Sequence, residues 1–209
     1  MKKFSEIEEN IARAGDSLLR AIQYSMTGNY IDFGALAEVD KNKFEQLLVN
    51  VPNIEINDLE FKTLKKELEQ AERLMFLTDN CGEIVFDMAF IRLLKMQYPK
   101  LQITVIVRGY PAVNDATMED ALQVGIDACG KVIPNGTNIA GTYIPWLSAE
   151  AKAEMDGADI LIAKGQGNFE SLHGCGLNIY YLFLCKCQWF MERFGLPQYS
   201  GVFINEKDL

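Results

Sequence analysis

The sequence predicts an α/β fold of three layers, in which helices cover both faces of a mainly parallel, Rossmann-like sheet. Short apolar runs at 74–78, 103–107, 131–133 and 160–163 have the length and composition of buried strands. Segments with helical spacing separate these runs. Alternation of strands and helices is typical of parallel sheets that are covered on both faces.

The other elements follow from the same periodicities. Apolar residues at three- and four-residue intervals from Phe4 to Ile22 predict one amphipathic helix, and a weaker helical segment follows at 41–48. Mixed charge at 59–71 predicts a solvated surface helix. The later helices are predicted at 84–97, 115–124, 149–155 and 188–194, and two more strands at 180–184 and 201–204.

Composition limits the possible functions. The chain has 209 residues, of which 49% are hydrophobic, which fits a single domain with a helical flank at 1–70 and an α/β core at 71–209. Its formal charge of -9 argues against nucleic acid or anionic membranes as partners, since these require a basic face. The five cysteines include no CxxC pair and there is one histidine, which favours reduced thiols over a zinc site. We expect a soluble, cytoplasmic protein, and its oligomeric state is left open.

Polar residues and glycines follow each of the first four predicted strands. Ligands of open parallel sheets bind beyond the carboxyl ends of the strands, so these segments are expected to meet. They are TDNCGE (78–83), RG with NDAT (108–109 and 114–117), PNGTN (134–138) and KGQGNFE (164–170).

Two of these strand ends offer hard oxygen donors. The side chains of Asp79, Asn80 and Asp115 suit Mg²⁺, Mn²⁺ or a similar octahedral ion that keeps positions open for water and a phosphate. The simpler alternative is that Asp79 and Asp115 cap helices, each stabilising one by about 1 kcal/mol. Either aspartate alone favours capping, whereas all three residues together favour a metal.

The KGQGN segment has the composition of a phosphate site. Gly165 and Gly167 let the backbone approach an anion, Lys164 supplies a positive charge, and Asn168 adds a polar contact. The spacing matches neither Walker A nor GxGxxG, so a tight strand-to-helix connection is the alternative.

Taken together, DNCGE after a strand, RG followed by NDAT, and KGQGNFE resemble the metal-dependent damage-control phosphatases. This family was formerly called domain of unknown function 89, and its members are also described as acidic-residue methyltransferase-like proteins. The upstream GNYIDFG (28–34) is similar to the family's glycine-asparagine-aspartate segment. Family members carry a longer N-terminal helical region, so this chain is expected to be either a shortened member or a fragment.

The resemblance implies a catalytic site in which Asp79, Asn80 and Asp115 bind the metal and Lys164 contacts the phosphate. It implies hydrolysis of small phosphometabolites, such as sugar phosphates or phosphopantetheine-like compounds, with Mn²⁺, Co²⁺, Ni²⁺ or Mg²⁺. We expect a metal-activated water as the nucleophile, because no DxD pair of the haloacid-dehalogenase type is present. The residues implied in substrate binding or support are Glu83, Arg108, Asn114, Gly165, Gly167, Asn168, Asn29 and Asp32.

Three other functions fit parts of the sequence. A non-catalytic nucleotide- or phosphate-binding module would use the glycines of KGQGN and would hold its ligand in the presence of a chelator. A thiol enzyme would use Cys81 with His173 as its base. A methyltransferase-like protein would need an adenosine pocket, yet the first strand is followed by no glycine fingerprint beyond Gly82.

Overall fold

The computed structural model of the protein describes residues 2–32 and 40–209. Phe33 and Gly34 of the GNYIDFG segment lie outside the described residues. The helices are α1 (Lys2–Ala12), α2 (Ser17–Gly28), α3 (Lys41–Asn50), α4 (Asp58–Gln70), α5 (Ile84–Gln97), α6 (Met118–Val124), α7 (Ala149–Asp156), α8 (Gly165–Leu172) and α9 (Gln188–Phe194). The strands are β1 (Arg73–Leu77), β2 (Gln102–Val107), β3 (Lys131–Pro134), β4 (Ile160–Lys164), β5 (Ile179–Leu184) and β6 (Gly201–Asn205).

The strands form one six-stranded sheet in the order β3-β2-β1-β4-β5-β6. All neighbouring pairs are parallel except β5 and β6, which confirms the mainly parallel sheet. From the central β1 the chain adds β2 and β3 on one side and β4 and β5 on the other. The crevice between β1 and β4 is therefore the point where the strand order reverses, and such a crevice is where open α/β sheets bind ligands.

Two layers of helices cover the sheet, as predicted. Leu74 and Phe76 of β1 belong to a hydrophobic core shared with α1, α2, α4, α5 and α6. Met75 and Leu77 point to the opposite face and belong to a second core with α7, α8 and α9. This alternation follows from the two-residue period of a strand, and both faces are buried because helices occupy both sides.

The N-terminal helices differ from the prediction. The single helix expected from Phe4 to Ile22 is wrong, because the chain forms α1 and α2 with a break between them. Asp16 causes the second helix to start, since its carboxylate accepts hydrogen bonds from the backbone N–H groups of Leu18 and Leu19. Helix α4 is not simply solvated, because it buries Phe61, Leu64 and Leu68 in the first core. The assignment of 1–70 and 71–209 to one domain stays a prediction.

One of two helix starts near the expected ligand site also differs. Helix α6 begins at Met118 rather than at 115, because Thr117 and Asp120 form a capping box. The KGQGN segment contains a direct strand-to-helix connection, because β4 ends at Lys164 and α8 starts at Gly165 and includes the rest of the segment. Among the helices of the described residues, none is both long and apolar enough to cross a membrane.

Candidate functional site

A small pocket of about 230 Å³ lies at the carboxyl ends of the central strands. Of the residues predicted for the site, six line it: Asp32, Asp79, Asn80, Asn114, Asp115 and Gly167. Val113, Ala140, Gln166 and Lys186 complete the lining. A larger cavity of about 470 Å³ contacts Cys81, but it is lined mainly by apolar side chains. The oxygen donors are therefore concentrated in the smaller pocket.

Main-chain hydrogen bonds join the two loops that carry the predicted metal ligands. Asn80 and Asp115 form an antiparallel bridge, and Ala116 N donates to Asp79 O over 2.7 Å. The N-cap of α5 is Glu83 and that of α6 is Thr117. The capping alternative is therefore wrong for both Asp79 and Asp115, whose carboxylates face other groups.

Two buried amides orient the Asp79 carboxylate. The Nδ2 atoms of Asn29 and Asn80 donate to Asp79 Oδ2 over 3.0 and 2.8 Å. The same two nitrogens donate to Glu83 Oε2 over 2.7 and 3.2 Å. Asn80 Oδ1 is thereby turned the other way, where it accepts a hydrogen bond from Asn114 Nδ2 over 2.7 Å.

Asn29 also ties the site to a distant strand. It follows α2, and its Oδ1 accepts a hydrogen bond from the backbone N–H of Leu184, at the end of β5, over 3.2 Å. The side chain is fully buried. One asparagine thus connects the N-terminal helices, the Asp79 loop and β5, without lining the pocket itself.

Lys164 lies in a buried network outside the pocket lining. Its Nζ donates to Ser25 O, Glu83 Oε1 and Asp87 Oδ1 over 3.0, 3.0 and 2.7 Å, and the side chain is 0% exposed. All three of its N–H donors are used. Its predicted contact with a substrate phosphate stays a prediction that this arrangement does not favour, because these bonds would have to break.

The buried charges of this network oppose each other. Burial alone lowers the pKa of Lys164, but the carboxylates of Asp87 and Glu83 raise it to about 12. Burial raises the pKa of Asp87 to about 6, although the charge of Lys164 opposes that increase. The carboxylates therefore keep Lys164 protonated, and the positive charge of Lys164 in turn stabilises the ionised form of Asp87.

Arg108, Asn168 and Gly165 support the pocket from outside its lining. Arg108 Nε donates to Asp115 Oδ2 in a buried ion pair, and the Nη2 of this arginine is buried without a hydrogen-bond partner among the described residues. Asn168 Nδ2 donates to the carbonyls of Lys164 and Thr78, which holds the ends of β4 and β1 together. Gly165 has a φ of +78°, and a Cβ there would overlap the Asp79 carboxylate.

The sequence analysis missed one charged residue of the site, Lys186. It lies two residues after β5, and its Nζ is 2.7 Å from Asp32 Oδ2. Lys186 follows the carboxyl end of a parallel strand as the other site residues do, so the same strand-end rule predicts it.

Negative charge is in excess within the pocket. Burial raises the pKa of Asp79 well above its usual value, and the charges of Glu83, Asp115 and Asp32 raise it further, although the charge of Lys186 opposes the increase. Burial also raises the pKa of Asp115, although Arg108 opposes the effect. Such a set of crowded carboxylates is stabilised by a bound cation.

Comparison with known proteins agrees with these motifs. The sequence matches the damage-control phosphatase ARMT1-like domain over residues 1–202. The chain belongs to this family. The resemblance in sequence that DNCGE, NDAT and KGQGNFE indicate is therefore confirmed.

Several members of the damage-control phosphatase ARMT1-like family are similar over most of the chain. An uncharacterized protein of Methanocaldococcus jannaschii is 34% identical over 98% of this chain. Damage-control phosphatases of Pyrococcus horikoshii and Archaeoglobus fulgidus are 33% and 32% identical over 90% and 87% of it. The chain spans about two thirds of the length of these relatives, with 67%, 64% and 62% of each covered.

A solved structure of the family has the same fold. The crystal structure of a DUF89 family protein from Pyrococcus horikoshii superposes with a TM-score of 0.82 at 28% identity. The match covers 98% of this chain and 72% of that one. The three-layer architecture is therefore an architecture of the family.

The family suggests dependence on a divalent metal, and the donor set of this pocket fits one. Among residues 2–32 and 40–209, no three His, Cys, Asp or Glu side chains form a metal-ligating group, so a metal would rest on two carboxylates and an amide. Mg²⁺ and similar ions commonly take one or two carboxylates and leave other positions to water and phosphate. Asp79, Asn80 and Asp115 are hard oxygen donors of this kind, and the excess negative charge favours a cation.

Proposed function

We propose that this chain is a phosphatase that hydrolyses phosphomonoesters of small metabolites, with a divalent metal bound by Asp79, Asn80 and Asp115. The single observation that carries the proposal is the meeting of these three side chains at one pocket, in a chain of the damage-control phosphatase ARMT1-like family. Sugar phosphates and phosphopantetheine-like compounds are the proposed substrates, and Mn²⁺, Co²⁺, Ni²⁺ and Mg²⁺ are the proposed metals. The cytoplasmic location remains a prediction.

In the proposed reaction, the carboxylates of the pocket would hold the metal and the start of α8 would bind the phosphate. A divalent metal, when bound, supplies Lewis-acid polarisation of a phosphoryl oxygen and a bound water of lowered pKa. Asp79 and Asp115 offer carboxylate oxygens, and the amides that bind Asp79 fix the direction of its side chain. Gly167 and the first turn of α8 present backbone N–H groups, and the positive end of the helix favours a phosphate.

Water is proposed as the nucleophile rather than a carboxylate. Asp79 Oδ2 already accepts two amide hydrogen bonds, and Asp115 Oδ2 is bound by Arg108. A carboxylate that attacks phosphorus would become an acyl phosphate and lose the negative charge that these hydrogen bonds and the ion pair stabilise.

The test is release of inorganic phosphate from p-nitrophenyl phosphate and from a panel of sugar phosphates, with each of the four metals and with EDTA. Release is expected only with metal, and Asp79→Ala and Asp115→Ala are expected to abolish it. Asp127→Ala is the matched control, because Asp127 is exposed and does not line the pocket. Near wild-type release by either pocket variant would contradict the site assignment. Ligand binding that persists in EDTA, without hydrolysis under any condition, would favour the phosphate-binding module.

A further inference from the structure

We propose that Val113 is a specificity-determining residue of the pocket, against which the organic part of the substrate packs, so that the preferred phosphomonoester carries an apolar group next to its phosphate. This inference rests on the proposed function, because it names the class of ester for that same pocket. Val113 lines the pocket together with Asp79, Asn80 and Asp115, yet its side chain has no atom that could bind a metal or a phosphate.

The backbone of Val113 has a conformation that valine rarely adopts. Its φ is +51°, in the left-handed region, where a side chain branched at Cβ crowds the main chain. The backbone N–H of Asp115 donates to Ala112 O over 2.9 Å, so Val113 occupies the second position of a tight turn. A positive φ at that position usually belongs to glycine, asparagine or aspartate. Valine therefore destabilises this turn relative to those residues.

The neighbours of Val113 are fixed, whereas its own side chain is exposed. Ala112 is buried, and Asn114 Nδ2 donates to Asn80 Oδ1 over 2.7 Å. The carbonyl oxygen of Asn114 also accepts a hydrogen bond from the backbone N–H of Cys81 over 2.8 Å. Val113 is 83% exposed, so packing within the chain offsets little of its backbone strain. Strained residues that their surroundings hold in place cluster at functional sites, and here a bound ligand would supply the contacts that the side chain lacks.

The size of the pocket places the organic part of the substrate beside Val113. A volume of about 230 Å³ corresponds to roughly seven or eight water molecules, and most small-molecule sites are larger, at about 300–1,000 Å³. A metal with its bound waters and a phosphoryl group would fill most of this space. The rest of the ester must then extend out through the mouth of the pocket.

The mouth of the pocket is apolar, although its interior is polar. Among the described residues of the lining, Val113 and Ala140 alone are exposed, and both carry only methyl groups beyond the backbone and Cβ. The charged residues Asp79, Asp115 and Lys186 are buried. An aromatic or branched aliphatic group at the mouth would remove these methyl groups from water, whereas the hydroxyl groups of a sugar would find no hydrogen-bond partner on them.

The experiment compares two phosphonates, which are not hydrolysed, by calorimetry in the presence of Mg²⁺. The wild-type chain is expected to bind phenylphosphonate at least about fivefold more tightly than methylphosphonate, because only the phenyl ring can contact Val113. Val113→Ala is expected to weaken phenylphosphonate binding by about 3- to 10-fold, the effect of removing two carbon atoms from an apolar contact. Its affinities for methylphosphonate and Mg²⁺ should change by less than about twofold. Equal wild-type affinities for the two phosphonates, or equal losses in Val113→Ala, would overturn the proposal.

Val49→Ala is the matched control. Val49 is 81% exposed in α3 and does not line the pocket, so this variant should bind both phosphonates as the wild type does. Val113→Thr keeps the branched shape but replaces a methyl group with a hydroxyl group, and it should weaken phenylphosphonate binding about as much as Val113→Ala. Wild-type phenylphosphonate affinity in Val113→Thr would overturn the proposal, because shape rather than apolar contact would then be sufficient.

Val113→Gly separates a role in binding from a role in folding. Glycine relieves the backbone strain, so the melting temperature is expected to rise by about 2–4 °C, while phenylphosphonate affinity falls at least as much as in Val113→Ala. A residue with a purely structural role would not show this combination of higher stability and weaker binding. A lower melting temperature with wild-type phenylphosphonate affinity would overturn the proposal.

Failure of this inference is distinguishable from failure of the proposed function. The phosphonate titrations need no turnover, so they test Val113 even if no ester is hydrolysed. A chain that hydrolyses p-nitrophenyl phosphate with metal, yet binds both phosphonates equally, remains a phosphatase in which Val113 has no part in specificity. A wild-type chain that binds neither phosphonate overturns both.

Discussion

Replacing Lys164 with methionine tests the buried charge network most directly. The substitution keeps a long side chain but removes the cation from Glu83 and Asp87, both of which are 0% exposed. Loss of one partner of a buried ion pair typically costs about 3–5 kcal/mol, because the remaining charge has no compensation. For a chain of this size, such a loss lowers the melting temperature by about 6–20 °C.

Urea unfolding followed by circular dichroism, in EDTA, measures this effect. Lys131→Met is the matched control, since Lys131 also pairs with two carboxylates, those of Glu150 and Glu154, but at the exposed surface. We expect the control to unfold close to the wild-type urea concentration. Stability of Lys164→Met within about 1 kcal/mol of the wild type would refute the reasoning, because it is far below the cost of an uncompensated buried carboxylate.

The pH dependence of Lys164→Met gives an independent check. Burial already raises the pKa of Asp87 to about 6 in the presence of the lysine, and removal of the lysine would raise that pKa further. The folded variant then binds protons more tightly than the unfolded chain. Its stability deficit should therefore shrink as the pH is lowered from about 7 towards 5.

Three further predictions test the site and the fold. Gly165→Ala should destabilise the chain and weaken Mg²⁺ binding, because the new Cβ would overlap the Asp79 carboxylate. Gly176 also has a φ of +78° but no atom lies near its new Cβ, so Gly176→Ala should cost only the backbone strain of about 1–2 kcal/mol. Burial raises the pKa of Glu60 to about 7, so its contribution to the free energy of unfolding is fully present below about pH 4.5 and is lost as the pH rises through 7. In Glu60→Gln, the free energy of unfolding measured in urea should vary less with pH over this range. Burial also raises the pKa of the Cys81 thiol, so Cys81→Ser should retain metal-dependent phosphate release, and loss of release would favour a thiol enzyme.

Strongly periodic segments were predictable from the sequence. The bounds of α5, at Ile84–Gln97, agree with the prediction, because a long apolar pattern between two strands leaves few alternatives. The break between α1 and α2 was missed because the apolar spacing continues across it. The spacing hides the local signal, which is Asp16 in a position to cap the next helix.

The candidate site was also predictable only in part. The meeting of Asp79, Asn80 and Asp115 was predictable, since parallel strands bring their carboxyl ends to one edge of the sheet. The direction of each side chain was not predictable, because it depends on contacts between residues far apart in sequence. Lys164 ends β4 and Lys186 follows β5, so both lie at the same edge of the sheet. Of these two lysines, only Lys186 lines the pocket, whereas Lys164 is buried in an ion-pair network.

The hydrogen bond from Leu184 to Asn29 links residues 155 positions apart, and the pair of Asp32 and Lys186 links residues 154 apart. Both contacts require β5 to have joined the sheet beside β4. During synthesis on the ribosome, the pocket therefore stays incomplete until β5 and Lys186 have emerged. A nascent chain that stops before β5 has Asp79, Asn80 and Asp115 but lacks the backbone donor and the lysine that complete their surroundings.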